Sequence, residues 1–372
     1  MPSPLRVAFL TSALNTSYGW ARYALELARA LPEHGVEVVA LTQPDAEIPA
    51  DLAVADMHSV LPHLVPPTRG FMARSLLALP RVRRAVADCD LLHVIAEPYS
   101  PLAAASAGKR PLVITAHGTY VPQTARRRWV GRLYRYAYAR AHLIAVSRYT
   151  AAKVRAVLPD SDPTIIHNGV HVARFQIPTS VPEKKGPTIL ASGGVKTRKG
   201  THLLVEALAQ VKQQVPDAQL VVTGRQDDPG YLAQIEEQIA DLQLTDAVYL
   251  LGQIPESDLL GWYQHADVFA LPSLSVGEKF EGFGLVFLEA SASGLPVIGT
   301  TGSGVEEAVI EGETGLLVSQ NDAQALAEAI TRLLLDEALR GQMGAAGRAY
   351  AQTQDWANIA AQVRAVYDQT LS

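Results

Sequence analysis

Short strand-like runs alternate with helical patterns along the chain, in two series, and this alternation constrains the fold more than any other feature. The runs of β-branched and apolar residues in the first series lie at 6–11, 36–41, 91–95, 111–115, 143–146 and 164–166. Those in the second series lie at 188–191, 219–223, 247–251, 268–271, 296–299 and 315–318. Such alternation predicts parallel sheets with helices on both faces. We therefore predict an α/β chain with two doubly wound domains in tandem.

A proline-rich stretch separates the two series. Residues 176–187 contain three prolines and the charged run 183–186, a composition that is typical of a linker. The predicted domains are therefore 1–175 and 188–355, and a chain of 372 residues is long enough for both. Because ligands of doubly wound sheets bind at the carboxyl ends of strands, we expect a site in the cleft between the domains.

The cysteine content and the lengths of the apolar runs limit the cellular compartments that we expect for this chain. Cys89 is the single cysteine, which excludes an internal disulfide and a cysteine-based zinc site. The start of the sequence has only a short apolar run at 7–10, and no run of ~18 apolar residues follows. We therefore expect neither a cleaved signal peptide nor a membrane span, and we expect a cytoplasmic location.

The net charge of −5 is unevenly distributed. The first 175 residues carry 20 basic and 12 acidic side chains, whereas the rest carry 12 basic and 25 acidic ones. The basic excess is concentrated between Arg126 and Arg140, where six arginines alternate with four aromatic residues. Such a segment is typical of a helix with a solvated basic face, of contact with an anionic membrane, or of RNA binding. We expect no nucleic-acid partner and keep peripheral contact with the inner face of a membrane as a hypothesis.

The densest motif of the chain spans residues 281–289. Glu281 lies in a glycine-rich loop after a strand, and an apolar helix is predicted over Leu285–Ala292. A buried helix rarely carries a glutamate such as Glu289 unless the carboxylate has a partner. The loop glycines let the backbone approach a ligand, and the helix start offers N–H groups suited to a phosphate. The motif therefore predicts an anion site flanked by carboxylates that accept sugar and ribose hydroxyls.

This span resembles the glutamate-x7-glutamate signature of the retaining GT-B glycosyltransferases of family 4. Further matching segments are 115–118, 145–147, 166–170 with Phe175, 198–200, 251–252, 266–267, 272–273 and 311–315. The resemblance covers nearly the whole chain. It implies two Rossmann-like domains facing across a cleft, with the acceptor held mainly by the first and a nucleotide-diphosphate sugar mainly by the second. It also implies that a final helix, residues 356–370, crosses back to the first domain.

The resemblance also implies roles for single residues. Glu289 should bind the ribose hydroxyls and Glu281 the donor sugar. The expected catalytic residues are His117, Arg198, Lys199 and Glu281, and the expected donor-binding residues are Gly19, Gly282, Phe283, Gly284, Leu285 and Glu289. Two of these keep an ordinary alternative: His117 as a satisfied core or surface histidine, and Gly19 as a plain turn glycine.

Departure of a diphosphate requires countercharge, from a metal ion or from basic side chains. The two Asp-x-Asp sequences, 88–90 and 160–162, are interpreted as solvated turns. The resemblance implies a metal-independent enzyme without a cofactor. In the loop 193–200, Lys199 matches the family's lysine, but Gly194 stands where the family commonly has arginine. We expect Arg198 to supply the second cation and Lys196 to point to solvent.

The predicted function is therefore retaining, metal-independent transfer of a hexose from a UDP- or GDP-sugar to a sugar, glycan or lipid-linked acceptor. The resemblance implies a front-face substitution. One alternative is a sugar-nucleotide epimerase or hydrolase on the same fold. The other is a non-enzymatic sugar-binding protein, against which both glutamates and the lack of an export signal argue.

Overall fold

The computed structural model describes residues 3–16, 19–64, 70–180 and 183–372. The chain forms two compact units, which we call the N unit (through Gly169, together with Trp356–Ser372) and the C unit (Val170–Asp355). The division therefore lies earlier than residue 175. The reason is that the 3₁₀ turn Val172–Gln176 packs within the C unit, where Phe175 contacts the ring of Tyr263.

Each unit is built on one parallel sheet. The N-unit strands are β1 Leu5–Leu10, β2 Val36–Leu41, β3 Asp56–His58, β4 Leu91–Val94, β5 Leu112–Ala116, β6 His142–Ala145 and β7 Thr164–Ile165. The C-unit strands are β8 Thr188–Ser192, β9 Gln219–Thr223, β10 Val248–Gly252, β11 Val268–Ala270, β12 Val297–Thr300 and β13 Gly315–Val318. Their orders are β3-β2-β1-β4-β5-β6-β7 and β10-β9-β8-β11-β12-β13. Both orders are Rossmann-like, so the predicted fold class is confirmed.

Helices connect the strands, and three more follow the last strand. They are α1 Gly19–Ala30, α2 Phe71–Ala85, α3 Ser100–Ser106, α4 Tyr120–Ala125, α5 Gly131–Ala139, α6 Arg148–Arg155, α7 Thr201–Val211, α8 Pro229–Asp241, α9 Glu256–His265, α10 Leu285–Ala292, α11 Ala323–Leu335, α12 Glu337–Thr353 and α13 Trp356–Leu371. Within the described ranges, no helix combines the length and the apolar character needed to cross a membrane.

The two faces of the N-unit sheet bury separate cores. Val7 and Phe9 of β1 pack with residues of α1 and α13, whereas Ala8 and Leu10 pack with residues of α2, α3 and α5. This alternation follows from the two-residue period of a strand and shows that the sheet is covered on both faces.

The last helix, α13, belongs to the N unit. Its first residue, Trp356, packs so closely on Gly169 that a Cβ at that position would lie 2.6 Å from the indole Cδ2. Its Tyr367 hydroxyl lies 2.7 Å from Nδ1 of His93 in β4. These contacts fix α13 against the N-unit sheet at both of its ends.

Each sheet reverses its strand order at one point. In the N unit this point lies between β1 and β4, and in the C unit between β8 and β11. Loops that follow the strands on either side of such a reversal diverge and leave a crevice, which is where doubly wound sheets bind ligands. The loops after β8 and β11 therefore define the first place to look for a site in the C unit.

Candidate functional site

Three of the predicted site residues meet at the strand reversal of the C unit. Arg198 and Lys199 lie in the 3₁₀ turn between β8 and α7, and Glu281 lies in the loop between β11 and α10. Oε2 of Glu281 is 2.7 Å from Nζ of Lys199 and 2.9 Å from Nη1 of Arg198. The sequence placed these residues in one site but did not predict that they pair with one another.

The cluster carries more positive than negative charge. The side chains of Lys199 and Glu281 are only 12% and 15% exposed. Burial would raise the pKa of Glu281, but Lys199 and Arg198 outweigh that effect and lower this pKa to about 2. Burial is the largest cause of a lowered pKa at Lys199, and Glu281 opposes it. Two cations face one carboxylate, so the cluster retains net positive charge with which to bind an anion.

Lys196, the third basic residue of this loop, pairs with a different carboxylate. Nζ of Lys196 lies 3.5 Å from Asp227, which also pairs with Arg225 at 3.0 Å. The side chains of Lys196 and Asp227 are 43% and 46% exposed. Lys196 therefore belongs to a solvated ion-pair group at the edge of the loop, apart from the Glu281 cluster.

The backbone around Gly194 leaves no room for the arginine that the family resemblance leads us to expect at this position. Its backbone has φ +84, and a Cβ there would overlap the backbone oxygen of Arg225. Only glycine adopts this conformation without strain and leaves room for that carbonyl. An arginine at position 194 would require the loop after β9 to move.

The start of α10 is shaped by a second glycine. Gly284 has φ +92, and a Cβ would lie 2.7 Å from Cδ2 of Phe287. In this described part of the chain, no side chain caps the helix, and its first turn has no acidic residue. Gly282 and Phe283 are buried in the preceding loop. The first turn, beginning at Leu285, therefore offers backbone N–H groups that suit an anion.

Glu289 has a buried partner on another helix. The residue is 5% exposed, and its Oε2 accepts a hydrogen bond from the Tyr263 hydroxyl at 2.9 Å. The sequence indicated that this carboxylate needs a partner but not which one. Tyr263 lies on α9, and nothing in its local sequence distinguishes it from an ordinary core tyrosine.

His117 follows β5 in the N unit. Its half-buried ring has no hydrogen-bond partner at Nε2 among the described residues. Burial lowers the pKa of His117 to about 3, although a hydrogen bond to the Ile95 backbone opposes this shift. The ring is therefore neutral at neutral pH, and one of its two nitrogens is an acceptor.

Glu97 is a candidate that the sequence analysis missed. It lies just beyond β4 and is 0% exposed, and its Oε1 accepts the backbone N–H of His117 at 2.8 Å. Its Oε2 has no hydrogen-bond partner within the described ranges. Burial raises the pKa of Glu97 to about 7, although the bond from His117 opposes this. The sequence feature that could have indicated this site is a carboxylate directly after an apolar strand.

The pKa of Glu97 predicts a pH-dependent stability. The folded state holds this proton more tightly than the unfolded state, whose ordinary pKa is 4.5. The stability that Glu97 contributes is therefore fully present below pH 4.5 and is lost as pH rises through about 7, by about 3 kcal/mol in total. Glu97→Gln should lose less stability than the wild type between pH 5 and pH 8, as measured by thermal unfolding. Parallel losses in the two proteins would contradict the assignment.

Gly19 lies at a different place from the one predicted. It is the first residue of α1 rather than part of the preceding loop. It is exposed, and a Cβ would meet nothing within 4 Å. The backbone at the start of α1 is therefore accessible, but Gly19 is not required there by steric crowding.

Both Asp-x-Asp sequences hold local structural contacts. Asp90 accepts the backbone N–H of Arg6 at 2.8 Å, and Asp162 pairs with Arg155 at 2.7 Å. Across the described ranges, no group of three or more His, Cys, Asp and Glu side chains is arranged to hold a metal ion.

Of the four aromatic residues between Arg126 and Arg140 that motivate the membrane hypothesis, two lie in the core. Tyr134 and Tyr138 are 2% and 1% exposed, because successive turns of α5 direct both into the core. Trp129 and Tyr136 are 81% and 64% exposed, and Leu133 between them is 50% exposed. An apolar surface is therefore present, with a different membership.

Two arginines of this segment, the exposed Arg135 and the half-buried Arg140, donate to backbone oxygens. Arg135 donates to the backbone oxygen of Ala125, and Arg140 donates to that of Ala104 at 2.7 Å. Arg128 lies over the Trp129 ring at 5.2 Å. Arg126, Arg127, Arg128 and Arg132 are exposed. We call these four arginines, with Trp129, Leu133 and Tyr136, the basic-aromatic surface.

Comparison with known proteins gives consistent matches in sequence and in fold. The model of Glycosyltransferase Family 4 matches residues 18–174, and that of Glycosyl transferases group 1 matches residues 173–350. Phosphatidyl-myo-inositol mannosyltransferase of Mycobacterium leprae is 30% identical over 94% of this chain and 92% of its own. The GDP-mannose-dependent alpha-(1-6)-phosphatidylinositol monomannoside mannosyltransferase of Mycolicibacterium smegmatis is 31% identical over 73% and 74%. The crystal structure of Anabaena HepE with UDP is similar in fold, with a TM-score of 0.79 and 19% identity over 98% of this chain and 100% of that one.

Proposed function

The chain belongs to the group 1 family of GT-B glycosyltransferases, and from this premise we propose that it transfers a hexose from a nucleotide-diphosphate sugar with retention of configuration and without a metal ion. The observation that carries the proposal is the cluster of Arg198, Lys199 and Glu281 at the strand reversal of the C unit. It combines surplus positive charge for a leaving diphosphate with a carboxylate that accepts sugar hydroxyls.

The proposed reaction breaks the bond between the anomeric carbon and the diphosphate oxygen. The planar fork of Arg198 and the ammonium group of Lys199 bind the diphosphate as its negative charge develops, with the first turn of α10 as a further donor. The acceptor oxygen bonds to the same face of an oxocarbenium-like sugar. Its proton passes to the departing phosphate oxygen, so charge and atoms balance. Glu281 orients the sugar by accepting its hydroxyls, and Glu289 accepts those of the ribose.

We assign His117 to the donor sugar as well. Its ring is neutral, and Nε2 has no partner among the described residues. A sugar hydroxyl would satisfy it. Glu97, through the backbone N–H of His117, fixes the loop that carries this ring. His117 thus contributes orientation, not proton transfer, because a ring with a pKa of about 3 is a poor base at neutral pH.

The named relatives support a particular donor and acceptor. One is a phosphatidyl-myo-inositol mannosyltransferase, and another acts with GDP-mannose on a phosphatidylinositol monomannoside. We therefore propose GDP-mannose as the donor and a phosphatidylinositol-type lipid as the acceptor, ahead of a UDP-sugar and a soluble glycan. An anionic lipid acceptor also fits the basic excess of the first 175 residues.

A product assay tests this proposal. The protein is incubated with GDP-mannose or UDP-glucose and with phosphatidylinositol or its monomannoside, and products are identified by mass spectrometry. We expect a mannosylated lipid whose new linkage is α, as in the donor, by NMR. A β linkage would contradict retention. An epimerised donor, free sugar alone, or no turnover with any pair would contradict transfer.

Metal independence is tested in the same assay. Because Arg198 and Lys199 supply the countercharge, activity in excess EDTA should stay within about twofold of the untreated value, far from the loss of about 100-fold or more expected when a transition-state cation is removed. Mg²⁺ or Mn²⁺ added to the chelated enzyme should have little effect. Complete loss in EDTA that either ion restores would overturn the proposal.

We further propose that the basic-aromatic surface contacts anionic lipid headgroups, which places the enzyme at the inner face of the membrane. The segment presents these four exposed arginines together with three exposed apolar side chains, and each cation near an anionic surface adds about 1 kcal/mol. The protein should sediment with phosphatidylglycerol vesicles but not with neutral phosphatidylcholine vesicles. The variant Arg127→Ser/Arg132→Ser should sediment at least tenfold more weakly. Equal sedimentation with both vesicle types, or with neither, would remove the idea.

A further inference from the structure

A column of buried aromatic rings runs beneath α10 in the C unit. Consecutive centroid distances are 5.6 Å from Phe175 to Tyr263, 5.9 Å from Tyr263 to Phe269 and 5.4 Å from Phe269 to Phe287. All four residues are at most 4% exposed. Such a column holds its members in fixed orientations, because interiors are packed too densely for large rings to turn.

Two members of the column contact the groups assigned to the nucleotide. Phe287 lies against Gly284 at the start of α10, where an added Cβ would lie 2.7 Å from its ring. The Tyr263 hydroxyl donates to Oε2 of Glu289, in the middle of the helix. The column therefore supports both parts of α10 that the proposed function uses.

The helix that carries Tyr263 is itself anchored. Gln264, the next residue of α9, donates to the backbone oxygens of Phe175 at 3.0 Å and Ile177 at 2.6 Å, and accepts the Thr179 hydroxyl at 2.8 Å. The Tyr263 ring is thus packed by Phe175 on one side and Phe269 on another, while its own helix is bound to the segment that bears Phe175. Its hydroxyl has a fixed position from which to donate.

We propose that Tyr263 is a positioning residue of the nucleotide site, whose hydroxyl orients the Glu289 carboxylate for the two ribose hydroxyls. This inference rests on the proposed role of Glu289. A glutamate side chain has three rotatable bonds, and ordering it on ligand binding costs affinity. A donor that holds one carboxylate oxygen beforehand removes much of that cost. A carboxylate has about four acceptor positions, so one hydrogen bond from Tyr263 is compatible with hydroxyl ligands.

The test measures nucleotide affinity by calorimetry in a double-mutant cycle. The variants are Tyr263→Phe, Glu289→Ala and the pair, and the probe is whichever of GDP and UDP binds the wild type more tightly. Phenylalanine keeps the ring packing and removes only the hydroxyl. Tyr249→Phe is the matched control, because the Tyr249 hydroxyl donates at 2.8 Å to the Asp246 backbone instead of to Glu289. If Glu289→Ala does not fold, Glu289→Gln replaces it.

We expect Tyr263→Phe to weaken nucleotide binding about tenfold in the wild type but less than twofold in the Glu289→Ala background. Tyr249→Phe should bind as the wild type does. The preference for the ribonucleotide over its 2′-deoxy counterpart should be about tenfold in the wild type and less than about threefold in Tyr263→Phe.

Two results would overturn the inference alone. One is wild-type affinity and ribose preference in Tyr263→Phe when Glu289→Ala binds weakly. The other is an equal loss from Tyr263→Phe in both backgrounds, which would show a general structural effect. If Glu289→Ala binds as tightly as the wild type, the ribose assignment of Glu289 itself is wrong, and the inference falls with it.

Discussion

Replacing Arg198 with alanine should lower the turnover number by about 100- to 1000-fold, whereas replacing Lys196 should lower it less than about tenfold. Arg198, whose side chain is 33% exposed, pairs with Glu281 beside the more deeply buried Lys199, and its guanidinium can bind two phosphate oxygens at once. Lys196 pairs with Asp227 at the exposed edge of the loop. A preorganised cation stabilises a developing charge far more in a water-poor site than at a solvated surface.

Steady-state kinetics at saturating donor distinguish the two variants. In Arg198→Ala, Lys199 still neutralises Glu281, so the fold should survive, and thermal unfolding checks this. Arg198→Lys should recover only part of the activity, because an ammonium group cannot bind two oxygens in a plane. If Lys196→Ala loses more turnover than Arg198→Ala, Lys196 rather than Arg198 supplies the second cation.

Replacing Gly284 with alanine should destabilise the C unit by about 3 kcal/mol and weaken nucleotide binding at least tenfold. The backbone at Gly284 is left-handed, and the added methyl group would lie 2.7 Å from Phe287. Phe287 is 0% exposed and packs edge-on against Phe269, so its ring cannot turn aside. The start of α10 must then shift, taking its N–H groups away from the phosphate.

Gly312→Ala is the matched control for this variant. Gly312 has φ +73, but an added Cβ would meet nothing within 4 Å. Its replacement should therefore lower the free energy of unfolding only by the cost of placing alanine in a left-handed conformation, about 1 kcal/mol. Nucleotide binding should be unchanged. Urea unfolding and calorimetry measure both quantities. Equal unfolding midpoints for the two variants, with nucleotide affinity retained in Gly284→Ala, would contradict the packing argument.

The sheets could be predicted because their strands are buried on both faces. Runs such as Val36–Leu41 and Gln219–Thr223 are apolar and β-branched along most of their length, and turn residues bound them. The strand Asp56–His58 escaped prediction because it is three residues long, partly exposed and polar. Which face of α5 is buried could also have been predicted, since Tyr134 and Tyr138 are four residues apart and Tyr136 lies on another face.

The pairings within the site could not be predicted in the same way. Arg198 and Glu281 are 83 residues apart, and their contact depends on β8 and β11 being neighbours. Strand order is a property of the whole sheet, which local patterns do not encode. The same holds for Glu289 and Tyr263, and for Glu97 and His117, whose partners come from separate elements. The sequence indicated that Glu289 needs a partner, but which residues pair depends on the fold.

A crystal structure of the enzyme with its bound nucleotide-diphosphate sugar tests the account most directly. We expect diphosphate oxygens within hydrogen-bond distance of Arg198 and Lys199, sugar hydroxyls at Glu281, and the ribose at Glu289. Arg198 would then divide its donors between the diphosphate and Glu281. A diphosphate bound instead at Lys196 and Arg225, or one held by a metal ion with Arg198 and Lys199 still paired only to Glu281, would contradict the proposed donor site.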